Sequence, residues 1–139
     1  MRAFLTTLLF GLTGDEGGGG GIFCYEASPI ITGCLITNNT TNDVGGGLYA
    51  RNASNVTIIN TDFVNNEADL GAGCYLRSES IPTLTNVEFT SNVAANSGGA
   101  IVLKDNADAI MSQVTLVENI AEGLGGGLYI NNADPSLDY

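Results

Sequence analysis

The sequence contains no histidine and no tryptophan, and only four of its 139 residues are lysine or arginine. Without histidine it lacks the commonest metal ligand and the usual proton carrier of catalytic triads, so histidine-dependent catalysis is excluded. The three cysteines form no CxxC pair, which leaves no zinc motif. Fifteen acidic residues give a net charge of −11, which disfavours nucleic-acid phosphates and anionic membrane surfaces. We therefore expect no metal, no cofactor, no nucleic-acid partner and no direct membrane insertion.

Short strands joined by turns are expected from the remaining composition. The chain has nineteen glycines, many asparagines and threonines, and only three prolines. This combination is typical of repeated turns rather than of long helices. The length and the 44% of hydrophobic residues suffice for one domain with a substantial core, over residues 1–139.

A repeat of 26 to 27 residues runs through the chain. Triplets of small residues begin at Gly19, Gly45, Gly71, Gly98 and Gly125, and each is followed by a short apolar strand sequence. Between the triplets, an apolar residue is followed three positions later by asparagine. Such a unit can bury its apolar positions only by stacking on its neighbours. The repeat therefore predicts an all-β solenoid, a parallel β-helix of about five coils.

Equivalent residues of successive coils should form columns about 4.8 Å apart. The repeated asparagines fall at a turn, where stacked amides can hydrogen-bond from one coil to the next. We predict that they form a structural asparagine ladder of Asn39, Asn66, Asn92 and Asn119. Alternation within the triplet strands places Leu48, Cys74 and Ile101 in the interior.

The two ends of the chain fit the repeat in part. Leu5, Leu8, Phe10 and Thr13 match the positions of Ile31, Cys34, Ile36 and Asn39 one coil later. This match favours a degenerate first coil over residues 1–18. A short secretory signal peptide is the less favoured alternative, because no A-x-A-like cleavage site follows the apolar run. Residues 125–139 are predicted to form an incomplete last coil, which indicates a fragment of a longer protein or association end to end.

Two motifs of the repeat point to a known family. Phe63-Val-Asn-Asn66 and Phe89-Thr-Ser-Asn92 fit FxxN, and Gly98-Gly-Ala-Ile101 fits GGA[ILV]. The chain thereby resembles the repeat of chlamydial polymorphic outer-membrane proteins, and it is similar to bacterial β-helix repeats of the form GGGIY…SPxIxxCxIxxN. The resemblance implies a right-handed parallel β-helix, secretion, and adhesion in an extracellular or cell-surface location, with outer-membrane association through parts outside this chain. In two coils Ile36 and Leu116 replace the phenylalanine of FxxN.

The outward positions of the triplet strands form the most informative predicted surface. One column carries Phe23, Tyr49, Tyr75, Val102 and Tyr129, and the next carries Tyr25, Arg51, Arg77 and Lys104. Like charges about 4.8 Å apart repel each other, so the fold does not require a basic column in an acidic chain. We predict that Tyr49, Arg51, Tyr75, Arg77, Lys104 and Tyr129 bind a glycan or a partner protein. The alternative is a structural aromatic ladder with solvated cations, since arginine beside tyrosine gains cation–π energy.

Two further outward patterns carry weaker hypotheses. Pairs on a second face, Phe4 and Thr6, Ile30 and Thr32, Thr57 and Ile59, Thr83 and Thr85, Ile110 and Ser112, resemble the flat array of ice-binding β-solenoids. Ordinary strand preference also explains them. Asp62 and Glu88 are predicted to be neighbours at a distance that permits glycosidase chemistry, although coils of nearly constant length leave no long loops for a catalytic cleft.

These patterns predict a secreted or cell-surface module with a structural or adhesive binding role and no intrinsic catalysis. The main alternative is a fragment of a carbohydrate-active β-helix, similar to polysaccharide lyases or hydrolases. Ice binding is the minor alternative.

Overall fold

The computed structural model describes residues 4–5, 8–10, 13–14 and 18–138. Within these ranges the chain forms eighteen strands in three sheets and no helix. Every strand pairing within these ranges is parallel and joins one coil to the next. The predicted all-β parallel solenoid is therefore confirmed.

The strands are numbered in chain order, and each sheet takes one face of the coil. The first sheet contains β1 (Phe4–Leu5), β2 (Leu8–Phe10), β5 (Ile30–Thr32), β6 (Leu35–Thr37), β9 (Thr57–Val64), β12 (Thr83–Thr90), β15 (Ile110–Val117) and β18 (Ser136–Asp138). The second contains β3 (Thr13–Gly14), β7 (Thr40–Thr41), β10 (Glu67–Leu70), β13 (Val93–Ser97) and β16 (Ile120–Ala121). The third contains β4 (Ile22–Tyr25), β8 (Leu48–Arg51), β11 (Cys74–Arg77), β14 (Ile101–Lys104) and β17 (Leu128–Asn131).

The stack makes about four turns, slightly fewer than the five predicted. Coils with a strand in all three sheets begin at β4, β8, β11 and β14. Before β4, the described strands β1 to β3 are only two or three residues long. After the fourth coil, only β17 and β18 follow. The prediction of five coils from the five triplets therefore included one coil that is only partly formed.

The register of the first strands differs by one residue from the predicted one. Leu5 pairs with Ile31 as expected. However, Leu8 pairs with Leu35 rather than Cys34, Phe10 with Thr37 rather than Ile36, and Thr13 with Thr40 rather than Asn39. Two residues separate Leu5 from Leu8, whereas three separate their partners Ile31 and Leu35, so the pairings of β2 and β3 are shifted by one residue. Thr6, predicted for the Thr/Ile face, lies outside the described residues.

The interior of the coils is a continuous apolar core. Leu48, Cys74 and Ile101 are fully buried, as the alternation predicts. The rings of Phe63 and Phe89 stack with centroids 4.8 Å apart and planes within 8°. All three cysteines are buried in this core.

The asparagine ladder is confirmed in detail. The backbone N–H and the side-chain Nδ2 of Asn39 both donate to Oδ1 of Asn66, at 3.1 and 3.0 Å. Asn66 donates in the same two ways to Asn92, and Asn92 to Asn119. The Nδ2 of Asn66 also donates to the carbonyl of Ile36 at 2.9 Å. Each internal amide thus satisfies a backbone N–H and a backbone carbonyl at the turn, which explains why the position repeats.

The triplets provide close approach between coils as well as a sharp turn. The first glycine of four triplets has a positive φ, from 59° at Gly71 to 68° at Gly45, which favours glycine. At the third position the space is filled from both sides. A Cβ on Gly73 would lie 2.5 Å from the carbonyl oxygen of Ala100 and 2.6 Å from Cδ1 of Phe89. One coil has alanine, Ala100, at this third position. That coil has the smaller Leu116 at the position that Phe89 occupies in the coil before it.

Candidate functional site

The predicted basic column exists on the third sheet. Tyr25 pairs with Arg51 and Arg77 pairs with Lys104. Between them, Tyr49 pairs with Tyr75 and Ala50 with Leu76, which sets Arg51 beside Arg77. Adjacent strands thus bring all three cations to the same outward column, each of them half-buried.

Two tyrosines of the predicted binding strip are buried, which corrects the prediction. Tyr49 is 3% and Tyr75 is 2% exposed. Their rings, together with Val102, form a second small core outside the coil, packed against Val44 and Leu70. Alternation in a strand shows which side chains point away from the coil interior, but not whether another segment covers them. Tyr129 also packs on this core and is half-buried. Because Tyr49 and Tyr75 are buried, they cannot contact a ligand directly.

The cations have different surroundings. The guanidinium of Arg51 lies 5.2 Å from the ring centroid of Tyr25, 5.6 Å from that of Phe23 and 5.7 Å from that of Tyr49. Its Nε is buried and has no hydrogen-bond partner among the described residues. Cation–π attraction holds this side chain against the rings, as the structural alternative expected.

Arg77 is held by polar contacts instead. Its Nη2 lies 3.6 Å from Oδ2 of Asp105, and its Nε donates to Oγ of Ser78 at 3.1 Å. Burial raises the pKa of the neighbouring Tyr75 hydroxyl, an effect that Arg77 partly offsets. Lys104 has no ion pair with any described residue. Two of the three cations are therefore already engaged within the protein.

A polar groove lies at the turn that follows these strands. It has a volume of about 590 Å³ and is lined by Glu26, Asn52, Ala53, Ser78, Glu79, Asp105, Asn106 and Asn132. All eight residues have a positive φ, because the chain leaves the third sheet through the same left-handed corner in each coil. The groove therefore repeats the coil spacing. The side chains of Glu26, Asn52 and Glu79 have no hydrogen bond or ion pair with another described residue, and they are available to a ligand.

Phe23 and Tyr25 form an exposed aromatic end to this region. They are 45% and 47% exposed, and they lie on β4, the strand that ends directly before Glu26. They belonged to the predicted columns but were not selected for binding. A signal for their exposure does exist in the sequence, because Gly18 precedes its triplet where Val44 and Leu70 precede theirs. A glycine there has no side chain to cover Phe23.

A comparison with protein-family models identifies the fold family. A family described as the right handed beta helix region matches residues 13–137. The chain belongs to the right-handed β-helix family. Searches of curated proteins and of solved structures gave no match. The match supports the β-helix part of the resemblance and does not reach the specific chlamydial repeat. Because this family includes enzymes and non-enzymes, function has to be argued from the site.

The two carboxylates of the β-helix considered for catalysis are neighbours, as predicted, with Asp62 paired to Glu88. Both side chains are exposed on the first sheet, and Glu88 accepts a hydrogen bond from the Thr90 hydroxyl at 2.8 Å. Loss of hydration and then the charge of Glu88 raise the pKa of the Asp62 carboxyl. Open strand surface gives no means of enclosing a substrate or excluding water.

The Thr/Ile face of the β-helix is in register but chemically mixed. One row is Ile30, Thr57, Thr83 and Ile110, and the other is Thr32, Ile59, Thr85 and Ser112. No rank of threonine continues through more than two coils, so the face lacks a uniform lattice of hydroxyl groups.

Metal sites and membrane-spanning helices are both absent from the described part of the β-helix. Its histidine, cysteine, aspartate and glutamate side chains nowhere form a group of three that could hold a metal ion. Nor does any described segment form an apolar helix long enough to cross a membrane.

Proposed function

We propose that this β-helix is a non-catalytic binding module of a secreted or cell-surface protein, and that the polar groove beside the third sheet holds an extended glycan. The observation that carries the proposal is the groove itself. It presents unpaired carboxylate and amide groups in successive coils and ends beside two exposed aromatic rings.

The dimensions of the groove suit a polymer better than a small molecule. From Glu26 to Asn132 it crosses four coil intervals, a length of about 19 Å at about 4.8 Å for each step. Each coil offers a similar group to a similar part of the ligand. Several weak contacts along one chain add through their high effective concentration, so useful affinity does not need a deep pocket.

The aromatic end supplies the contact that hydroxyl groups cannot. Tyr25 and Phe23 expose nearly half of their surface, and the C–H face of a sugar ring packs well on an aromatic ring. The guanidinium of Arg51 lies against both rings and holds them in place. Aromatic residues supported in this way are typical anchors of binding surfaces.

Surface display and the absence of catalysis fit the rest of the molecule. The repeat resembles that of surface-displayed proteins. The strongly acidic composition favours solubility and disfavours contact with anionic lipids. The paired carboxylates at Asp62 and Glu88 belong to the first sheet, whereas the groove borders the third. A rigid β-helical spacer that carries the binding groove on its third sheet is consistent with the acidic surface and with the distance of these carboxylates from the groove.

Binding of the protein to immobilised polysaccharides, measured by affinity gel electrophoresis, tests the proposal. We expect retardation by at least one polysaccharide, and about tenfold weaker binding for Tyr25→Ala, the effect of truncating an aromatic anchor. Leu35→Ala is the matched control, because Leu35 is 40% exposed and lies on the first sheet. Equal binding by Tyr25→Ala and by the unmodified protein would show that the groove is not the site.

A further inference from the structure

We infer that the ligand of the groove is an uncharged polysaccharide, recognised through its hydroxyl groups as hydrogen-bond donors. The inference rests on the proposed glycan binding and names the class of glycan. It follows from which groups in the groove are free and which are already occupied.

The free groups in the groove are mainly acceptors. Glu26 and Glu79 are exposed and make no hydrogen bond or ion pair with a described residue. A glutamate carboxylate can only accept hydrogen bonds. A ligand must therefore donate to them. Adjacent hydroxyl groups of a sugar can donate to the two oxygens of one carboxylate, and charge-assisted hydrogen bonds of this kind are the stronger ones.

The cations next to the groove do not reverse this preference. Arg77 is paired with Asp105 at 3.6 Å, and Arg51 lies among three aromatic rings. Lys104 is the remaining cation of the column and is not among the residues that line the groove, whereas the free carboxylates of Glu26 and Glu79 are. A polyanion would bring its acidic groups toward these carboxylates in a chain of net charge −11. Like charges brought together in this way are unfavourable.

The amides of the groove can serve the same neutral ligand. The Asn52 side chain has no partner among the described residues and offers one acceptor and two donors. The Asn106 amide accepts only a long hydrogen bond, 3.4 Å, from Nδ2 of Asn132. A sugar hydroxyl both donates and accepts, so it matches amides and carboxylates in one row. A carboxylate or sulfate group on a polymer can only accept hydrogen bonds, so it cannot donate to Glu26 or Glu79.

The test measures binding of the intact protein to three classes of immobilised polymer. These are neutral hydroxyethyl cellulose, mannan and xylan, acidic polygalacturonate, and cationic chitosan. We expect binding to at least one neutral polymer, with little dependence on NaCl concentration because no ion pair forms with the ligand. Glu79→Gln should weaken this binding about tenfold, the loss of one charge-assisted hydrogen bond.

Glu118→Gln is the matched control. Glu118 is also an exposed glutamate with positive φ, 54° against 60° for Glu79, but it lies at the asparagine corner. The Glu118→Gln variant should bind the neutral polymer as tightly as the unmodified protein does. Preferential binding to polygalacturonate or chitosan, or stronger binding by Glu79→Gln, would overturn the inference while leaving glycan binding intact. Binding to none of the polymers would overturn both.

Discussion

Removal of one internal amide of the asparagine ladder should destabilise the protein severely. In Asn66→Ala, the backbone N–H of Asn39 loses an acceptor at 3.1 Å, and the carbonyl of Ile36 loses a donor at 2.9 Å. Both groups belong to a turn where Asn39, Ile36 and Asn66 are fully buried, so water cannot replace the lost partner without opening the coil.

The magnitude follows from these groups. A buried polar group left without its partner costs about 1 to 3 kcal/mol, and two such groups give about 2 to 6 kcal/mol. The side-chain hydrogen bonds of Asn66 to Asn39 and Asn92, at 3.0 Å each, are lost as well. We expect a loss of about 4 kcal/mol, a large part of the roughly 5 to 15 kcal/mol of an ordinary domain.

Urea unfolding followed by far-ultraviolet circular dichroism measures this loss. Asn42→Ala is the control, because Asn42 is exposed and has no side-chain hydrogen bond in the described chain. Its effect should stay within about 0.5 kcal/mol. A loss below about 1 kcal/mol for Asn66→Ala would refute the reasoning, since it would mean that the turn satisfies its backbone groups without the amide.

Three further predictions concern packing, charge and thiol reactivity. Gly73→Ala should lower the melting temperature because its Cβ meets Phe89 at 2.6 Å, and Phe89→Leu in the same chain should restore part of the loss; independent effects in a double-mutant cycle would contradict this. Loss of hydration and then the charge of Glu88 raise the pKa of Asp62, so this carboxyl disfavours folding above its folded pKa and ceases to do so below its unfolded pKa. In Glu88→Gln, NMR titration should show a lower Asp62 pKa that stays above the usual value; an unchanged pKa would exclude the coupling. Burial raises the pKa of Cys24 to about 11, so iodoacetamide at mildly alkaline pH should label this thiol only after denaturation. Mass spectrometry measures the labelling, and rapid labelling of the native protein would show that the core is open.

The repeat predicts the main core because the stack imposes it. A period of 26 to 27 residues fixes which residues of adjacent coils pair, and the strand alternation fixes which of them point inward. The ladder and the basic column follow from the same two rules. Both rules act within a strand and its neighbours, so both can be applied to the sequence alone.

The candidate site was predictable only in part, because it depends on contacts outside the strands. Tyr49 and Tyr75 obey the alternation, yet Val44 and Leu70 cover them. Those covering residues stand directly before the triplets, and alternation within the strands does not tell whether their side chains fold over the tyrosines. The groove escaped prediction for a related reason: its side chains come from a corner of left-handed residues, and their grouping depends on the path of the backbone there.

That left-handed corner also allows stability and binding to be separated. Asn52–Ala53, Ser78–Glu79 and Asp105–Asn106 are consecutive residues with positive φ, a conformation that costs residues other than glycine about 1 kcal/mol each. If the fold alone determined this corner, glycine would serve best, as it does in the triplets. Glu79→Gly should therefore raise the urea midpoint slightly, by up to about 1 kcal/mol of stability, while removing a groove acceptor and weakening glycan binding as Glu79→Gln does. A lower midpoint for Glu79→Gly than for the unmodified protein would show that the carboxylate supports the fold, and that its place in the groove needs no ligand to explain it.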